Sequence, residues 1–214
     1  YFYNGTVIGV QGAFSTSAGY SEVQDGEFKT VACDKHSNGS SAFYALYVAG
    51  ESGEVECNVY GGEFTSISKV AAFVGNSNDG GDKKEALVHI YGGSFISQSD
   101  DKEAVHVDEA LGGLEIAGGT FSSDVSEYVV EGTEITEGPD GTFIVGELDE
   151  SNSVAETGGQ HYATLQAAID AVEREGQVVT LNRDTTENVK VSAGKTLILD
   201  LNGHNLTGKA DSWA

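Results

Sequence analysis

Hydrolysis of a glycosidic bond needs a pair of carboxylates with matched pKa values, and a metal site needs ligands that converge on one point. The sequence holds such residues mostly apart from one another. Its only arginines are Arg174, on the polar side of an expected helix, and Arg183, in an expected loop. Asp100 and Asp101 are adjacent, but in the polar stretch "SQSDDKE". "SNDGGD", with Asp79 and Asp82, is the best match to a Ca²⁺ loop, because Ca²⁺ takes oxygen ligands, and "SDDKE" is second. Neither follows the EF-hand or nonapeptide pattern, so each reads first as a solvated loop and no resident cofactor is expected. His89 and His106 alternate with apolar neighbours and are expected to face solvent, and His161 and His204 have less company still. Cys33 and Cys57 read first as buried free thiols, with a disulfide between them as the alternative. The sharpest surface feature is aromatic. Tyr3, Tyr60 and Tyr91 recur at one position of a repeat, where exposed rings can stack on sugars and offer hydroxyls. The plainer expectation is that they shield the sheet and pair with one another.

The repeat that would position these residues is plain. "VYGGEF" at 59–64 returns as "IYGGSF" at 90–95 and "IAGGTF" at 116–121. Anchors at Val7, Phe28, Phe64, Phe95 and Phe121 each follow a glycine two residues earlier: Gly5, Gly26, Gly62, Gly93 and Gly119. Asn, Asp or Gly precedes that glycine, and such dipeptides mark sharp turns with positive φ. Five residues before each anchor stand Phe2, Val23, Val59, Ile90 and Ile116; two earlier stand Ser21, Cys57, Val88 and Leu114; Glu22, Asn58, His89 and Glu115 lie between. That alternation predicts a half-buried strand. Further strands are expected at 10–14, 42–48, 69–74 and 103–107. The anchors are unevenly spaced, and polar loops absorb the difference, as in a solenoid with insertions on its rim. Strands stacked in parallel at equivalent turns make a β-helix, with the columns as ladders in its core.

Acidic residues number 34 against 11 basic, a formal charge of -23. This excludes nucleic acid and anionic membranes as partners, since neither counterion release nor attraction is on offer. No apolar run approaches a membrane span. No signal peptide is visible, and both ends read as cut from something longer. After the last anchor, "SSDVSEYVVEG" predicts a short helix and "TEITEGPDGTFIV" a closing hairpin. Residues 146–160 read as an acidic linker. "YATLQAAIDAVEREG" then predicts a helix with Leu165, Ala168, Ile169 and Val172 on one face, Thr164 as N-cap and Gly176 as C-cap.

"YATLQAAIDAV", "VVTL" and "KTLILDLNGHNLTG" together resemble the opening of a right-handed β-helix of the pectin-lyase-like superfamily. "IAGGTFSSDVSEYVVEG" with "PDGTFIV" resembles the closing segment of such modules, which large bacterial surface proteins, often from gut-dwelling Gram-positive bacteria, carry in series. The resemblance implies an all-β, right-handed parallel β-helix. Residues 1–145 would be the C-terminal part of one module, with rungs over 1–122 and a helix–hairpin cap over 123–145. Residues 161–214 would be the capping helix and first strands of the next. Pectate lyases of that superfamily pair a Ca²⁺ site with a basic residue, and related hydrolases use paired Asp with His; no residue here matches either set. The expected role is therefore a non-catalytic, secreted or cell-surface segment that binds extracellular glycans or host surface proteins. Two other readings are a piece of a polysaccharide lyase or hydrolase whose catalytic rungs lie elsewhere, and a structural stalk. Open strand edges would also allow end-to-end self-association.

Overall fold

The computed structural model describes residues 1–10, 12–31, 44–76, 84–101, 103–108 and 110–209. The chain is all-β. Helix among these residues amounts to one three-residue 3-10 turn and one six-residue α-helix. It divides into two compact units: Tyr1–Val130 with Ile135–Gly146, and Glu131–Glu134 with the chain from Glu147.

In the first unit strands come in threes. They are β1 (Thr6–Gly9), β2 (Gly12–Thr16), β3 (Gly19–Val23); β4 (Glu27–Thr30), β5 (Tyr44–Ala49), β6 (Val55–Val59); β7 (Glu63–Ser66), β8 (Ala72–Gly75), β9 (Ala86–Ile90); and β10 (Ser94–Ser97), β11 (Val105–Val107), β12 (Gly112–Ile116). β13 (Gly119–Phe121) follows. Each member of a triplet joins a different parallel sheet: β1-β4-β7-β10-β13, β2-β5-β8-β11 and β3-β6-β9-β12. β14 (Thr133–Glu137) and β15 (Phe143–Glu147) add to the first sheet, β15 running antiparallel to β13. The hairpin thus covers the backbone edge that β13 would otherwise expose. The helix expected before it is only the 3-10 turn Ser126–Tyr128.

The register follows the anchors. Val7 pairs with Phe28, Phe28 with Phe64, Phe64 with Phe95 and Phe95 with Phe121. The four phenylalanines are fully buried and stack at 4.6, 4.7 and 5.3 Å between centroids. Val23, Val59, Ile90 and Ile116 form a second inward column, and Ser21, Cys57, Val88 and Leu114 a third. Each fully buried large side chain supplies roughly 1.5–3 kcal/mol of transfer free energy, so these columns hold the unit together. A buried hydroxyl column, Thr30, Ser66 and Ser97, ties the chain beyond each first-sheet strand: Thr30 Oγ1 accepts from Ile67 N, and Ser97 Oγ donates to the Lys69 carbonyl.

The glycine pairs have two separate causes. Gly5, Gly26, Gly62, Gly93 and Gly119 all have positive φ, from 104° to 143°. At the preceding position the cause is close approach. A Cβ on Gly61, Gly92 or Gly118 would lie 2.8, 2.6 or 2.5 Å from the carbonyl oxygen of Gln24, Tyr60 or Tyr91 one repeat earlier. Backbone pairing runs straight through these turns, since Glu63 N donates to Gly26 O and Ser94 N to Gly62 O.

The second unit contains β16 (Ala155–Thr157), β17 (Gln160–Tyr162), α1 (Leu165–Asp170), β18 (Gln177–Leu181), β19 (Thr185–Thr186), β20 (Leu197–Asp200) and β21 (Leu206–Thr207). β16 lies antiparallel between β17 and β18, while β18–β20 and β19–β21 are parallel pairs. Leu165, Ala168, Ile169 and Val172 pack with Ala155, Tyr162, Val179 and Leu181. Two expectations are corrected. Residues 146–160 are structured rather than a bare linker, because the small side chains of Ser153, Ala155 and Thr157 fit inward and Asp149 ties the turn before them. The helix stops at Ala171, well short of Gly176. Lys195 Nζ donates to the carbonyls of Ile169 and Asp170, and Gln177 Oε1 accepts from the amides of Glu173 and Arg174, so the chain leaves the helix there. Thr164 does cap the start, accepting from Ala167 N, and Glu187 accepts from Leu165 N and Gln166 N.

Candidate functional site

The outer face of the β3-β6-β9-β12 sheet is a grid of side chains fixed by register. One row is Tyr20, Glu56, Leu87 and Gly113; the next is Glu22, Asn58, His89 and Glu115. The third is Gln24, Tyr60, Tyr91 and Ala117, where the amides of Tyr60, Tyr91 and Ala117 bond to Val23, Val59 and Ile90 of the preceding repeat. In-register parallel pairing makes each row a ladder about 4.8 Å per step.

Tyr60 and Tyr91 are 43% and 48% exposed. Their rings stack on each other, with centroids 5.0 Å apart and planes within 11°. The two rings thus pair with one another. Each ring covers one face of the other, Gln24 stands next to Tyr60 on its outer side, and the His89 ring lies 6.4 Å from that of Tyr91 with planes within 19°. Tyr3 stands beyond Gln24 in the same row, 71% exposed and outside this stack.

The middle row is hydrogen-bonded. Asn58 Nδ2 donates to Tyr20 Oη at 2.9 Å, and Tyr20 Oη donates to Glu22 Oε1 at 2.5 Å. Gln24 Nε2 reaches the other oxygen of Glu22 at 3.4 Å. The Tyr20 hydroxyl is pushed up to about 12, first by its bond to Glu22, which favours the protonated phenol. His89 Nδ1 lies 2.9 Å from Glu115 Oε2. His89 is therefore half-buried and paired rather than freely solvated, because the register sets Glu115 directly beside it. Asn58 is 8% exposed, and its Oδ1 has no hydrogen-bond partner among the described residues. Leaving a buried acceptor unpaired costs roughly 1–3 kcal/mol. The face is thus rich in acceptors beside an aromatic stack. Its end carboxylates, Glu22 and Glu115, stand three strand steps apart, about 14 Å, wider than the roughly 5–10 Å of glycosidase pairs.

Other expected residues are elsewhere or outside the described parts. Asp79, Asp82 and Cys33 lie outside the described residues. Asp101 accepts from the Ser99 hydroxyl, which holds its carboxyl below the usual range. Among the described residues no three His, Cys, Asp or Glu side chains gather as a metal site would require. Cys57 is free and buried, and burial pushes its thiol up. His106 is exposed and stacks on Phe73 at 5.7 Å, beside Glu103 at 3.2 Å. Sequence reasoning missed that cluster: Tyr44, Tyr47, Phe73 and His106 share the outer side of the β5-β8-β11 sheet, with Phe73 covered on it. The signal was the aromatic at equivalent positions in "AFYALYV" and "KVAAFV". In the second unit Ser153 Oγ lies 3.2 Å and Glu156 Oε2 3.8 Å from His161, both at Nδ1. A Ser–His–acid relay uses both imidazole nitrogens, so this set is structural.

No helix among the described residues is long and apolar enough to cross a membrane. Searches of protein-family models, of curated proteins and of solved structures each return no match to the chain.

Proposed function

We propose that this chain is a non-catalytic, extracellular segment of a bacterial surface protein, built as a right-handed parallel β-helix of pectin-lyase-like type, that binds glycans through the outer face of its β3-β6-β9-β12 sheet. The fold part of this reading is supported by the triplet order, in which consecutive strands visit three different sheets and return in register. Parallel connections of this kind are right-handed in the great majority of proteins. On this reading α1 opens a second module, and open edges at the ends allow copies to associate.

The observation that carries the binding function is the stacked Tyr60–Tyr91 pair beside the hydrogen-bonded row Glu22, Asn58, His89 and Glu115. Aromatic rings meet the C–H faces of sugars, and carboxylates, amides and imidazoles meet their hydroxyls. Parallel strands hold both rows rigid, so little ordering entropy opposes binding. The test is a glycan array probed with the wild-type chain and with the Tyr60→Ala/Tyr91→Ala variant. Binding by the wild type that the variant loses is the expected result. Binding that survives in the variant, or an array with no wild-type signal, overturns the reading. A stalk is the second reading. What favours it is that Tyr60 and Tyr91 spend one ring face each on one another.

A further inference from the structure

Two aromatic ladders climb in step, one on the inner face of the first sheet and one outside the end of the β3-β6-β9-β12 sheet, and only the inner one is complete. The inner ladder holds four rings, Phe28, Phe64, Phe95 and Phe121, spaced 4.6–5.3 Å apart. The outer ladder holds Tyr60 and Tyr91 at 5.0 Å and then stops, because the next position is Ala117. One ring per strand step is what this architecture accommodates, so Ala117 leaves a space one ring thick against the free face of Tyr91. The opposite end of the stack differs. The side chain next to Tyr60 is Gln24, whose amide is tied to Glu22. Beyond Ala117 the next position of the row is Val130, whose amide bonds to Ile116 O. The space is therefore bounded by Tyr91 on one side and by the Val130 position on the other, with Ala117 as its floor.

The chemistry beside the space selects its occupant. Glu115, on the outward face of β12, precedes Ala117 by two residues, and its side chain is 60% exposed. One of its oxygens meets His89 Nδ1. Its other oxygen can accept from a ligand. An apolar aromatic ring would fill the space but leave a carboxylate beside it with nothing to accept. A pyranose presents a C–H face to Tyr91 and hydroxyl donors at its rim. An anionic sugar would meet Glu115 and a chain of net charge -23, which disfavours it.

Resting on the glycan-binding reading above, we propose that one neutral pyranose ring stacks on Tyr91 over Ala117, in the position of the missing ring, with Glu115 accepting from its hydroxyls. The ring stands where a third aromatic would stand, and Tyr60 supports it only through Tyr91.

The experiment is NMR titration of the whole chain with methyl β-glucopyranoside and with a β-linked glucose hexaose. Signals followed are the Ala117 methyl, the Tyr91 ring and the amides of 115–118. Saturable shifts confined to these groups are expected. Ala117→Tyr should extend the ladder, raise or preserve the melting temperature, and weaken the hexaose by roughly tenfold or more, since the added ring takes the sugar's place. Should that variant fail to fold, Glu115→Gln reports on the same site: it keeps the fold and lowers affinity severalfold. Hexaose binding that is undiminished in Ala117→Tyr, or wild-type shifts that map elsewhere, overturns the proposal while leaving glycan binding intact at another site. Failure of both sugars to shift the Ala117 and Tyr91 signals overturns it too, and a blank glycan array then removes the underlying reading as well.

Discussion

Phe64→Leu separates what the stacked phenylalanines contribute from what simple burial contributes. Phe64 is fully buried and stacks on Phe28 at 4.6 Å and on Phe95 at 4.7 Å. Phe121, at the end of the ladder, stacks on Phe95 alone, at 5.3 Å. A Phe-to-Leu exchange keeps most of the apolar volume and costs about 1 kcal/mol in packing. Each lost ring pair adds about 0.5–1.5 kcal/mol. Phe64→Leu should therefore cost about 3 kcal/mol and Phe121→Leu about 2 kcal/mol, with melting shifts of roughly 2–4 °C per kcal/mol. Because the chain has two compact units, native-state amide exchange at β7 and β10 is a cleaner readout than a single melting curve. A double-mutant cycle sharpens the point. Phe64→Leu with Phe95→Leu should show a coupling of about 0.5–1.5 kcal/mol, whereas Phe28→Leu with Phe121→Leu, about three strand steps apart, should add within ~0.5 kcal/mol. Equal costs for Phe64→Leu and Phe121→Leu, or equal coupling in the two cycles, would refute the claim that ring-on-ring contact stabilises the ladder.

Three further outcomes follow from single residues. Gly93→Ala should destabilise by roughly 1–3 kcal/mol, because φ is 104° and the new methyl would lie 2.8 Å from Gly62 O; Gly146→Ala, with nothing within 4 Å, should stay within about 0.5 kcal/mol in the same urea titration. In a Cys33→Ser background Cys57 should react with Ellman's reagent only as fast as the first unit opens, since burial pushes its thiol up and only the thiolate reacts; labelling at the rate of an unfolded control would contradict this. Asp184 is held below the usual carboxylate range, first by the Asn205 amide, then by the Asn205 side chain and His204. A depressed folded value means the contribution is present above about pH 4 and is lost as pH falls through the folded value. Asp184→Asn should flatten the acid limb of the urea midpoint between pH 5 and pH 2.5, and an unchanged limb would show that the contact carries no linkage.

The parts of the structure that sequence reasoning reached are those governed by burial. An inward column must hold a large apolar residue at every repeat, so Phe28, Phe64, Phe95 and Phe121 could be aligned from spacing alone, and the pairing follows that alignment. Where competing hydrogen bonds decide, pattern failed. Leu165, Ala168, Ile169 and Val172 are buried as the pattern reads, yet the helix ends at Ala171, where Lys195, far on in sequence, bonds its last carbonyls and the Gln177 side chain takes the amides that follow. The hydroxyl column of Thr30, Ser66 and Ser97 was invisible because serine and threonine in a loop-bounded strand look like solvated residues until the chain closes over them. The outer face lies between these cases. Counting back from the anchors places Glu22, Asn58, His89 and Glu115 in one row, but not which of them pair, since His89 with Glu115 and Tyr20 with Asn58 depend on rotamers. The same limit applies to the tyrosines. A column of positions says that two rings are neighbours; it does not say whether they offer faces or edges. Only the near-parallel planes of Tyr60 and Tyr91 show that their faces point along the ladder. That orientation is what turns Ala117 from an unremarkable small residue into the one position where a ring face is left for a ligand to cover.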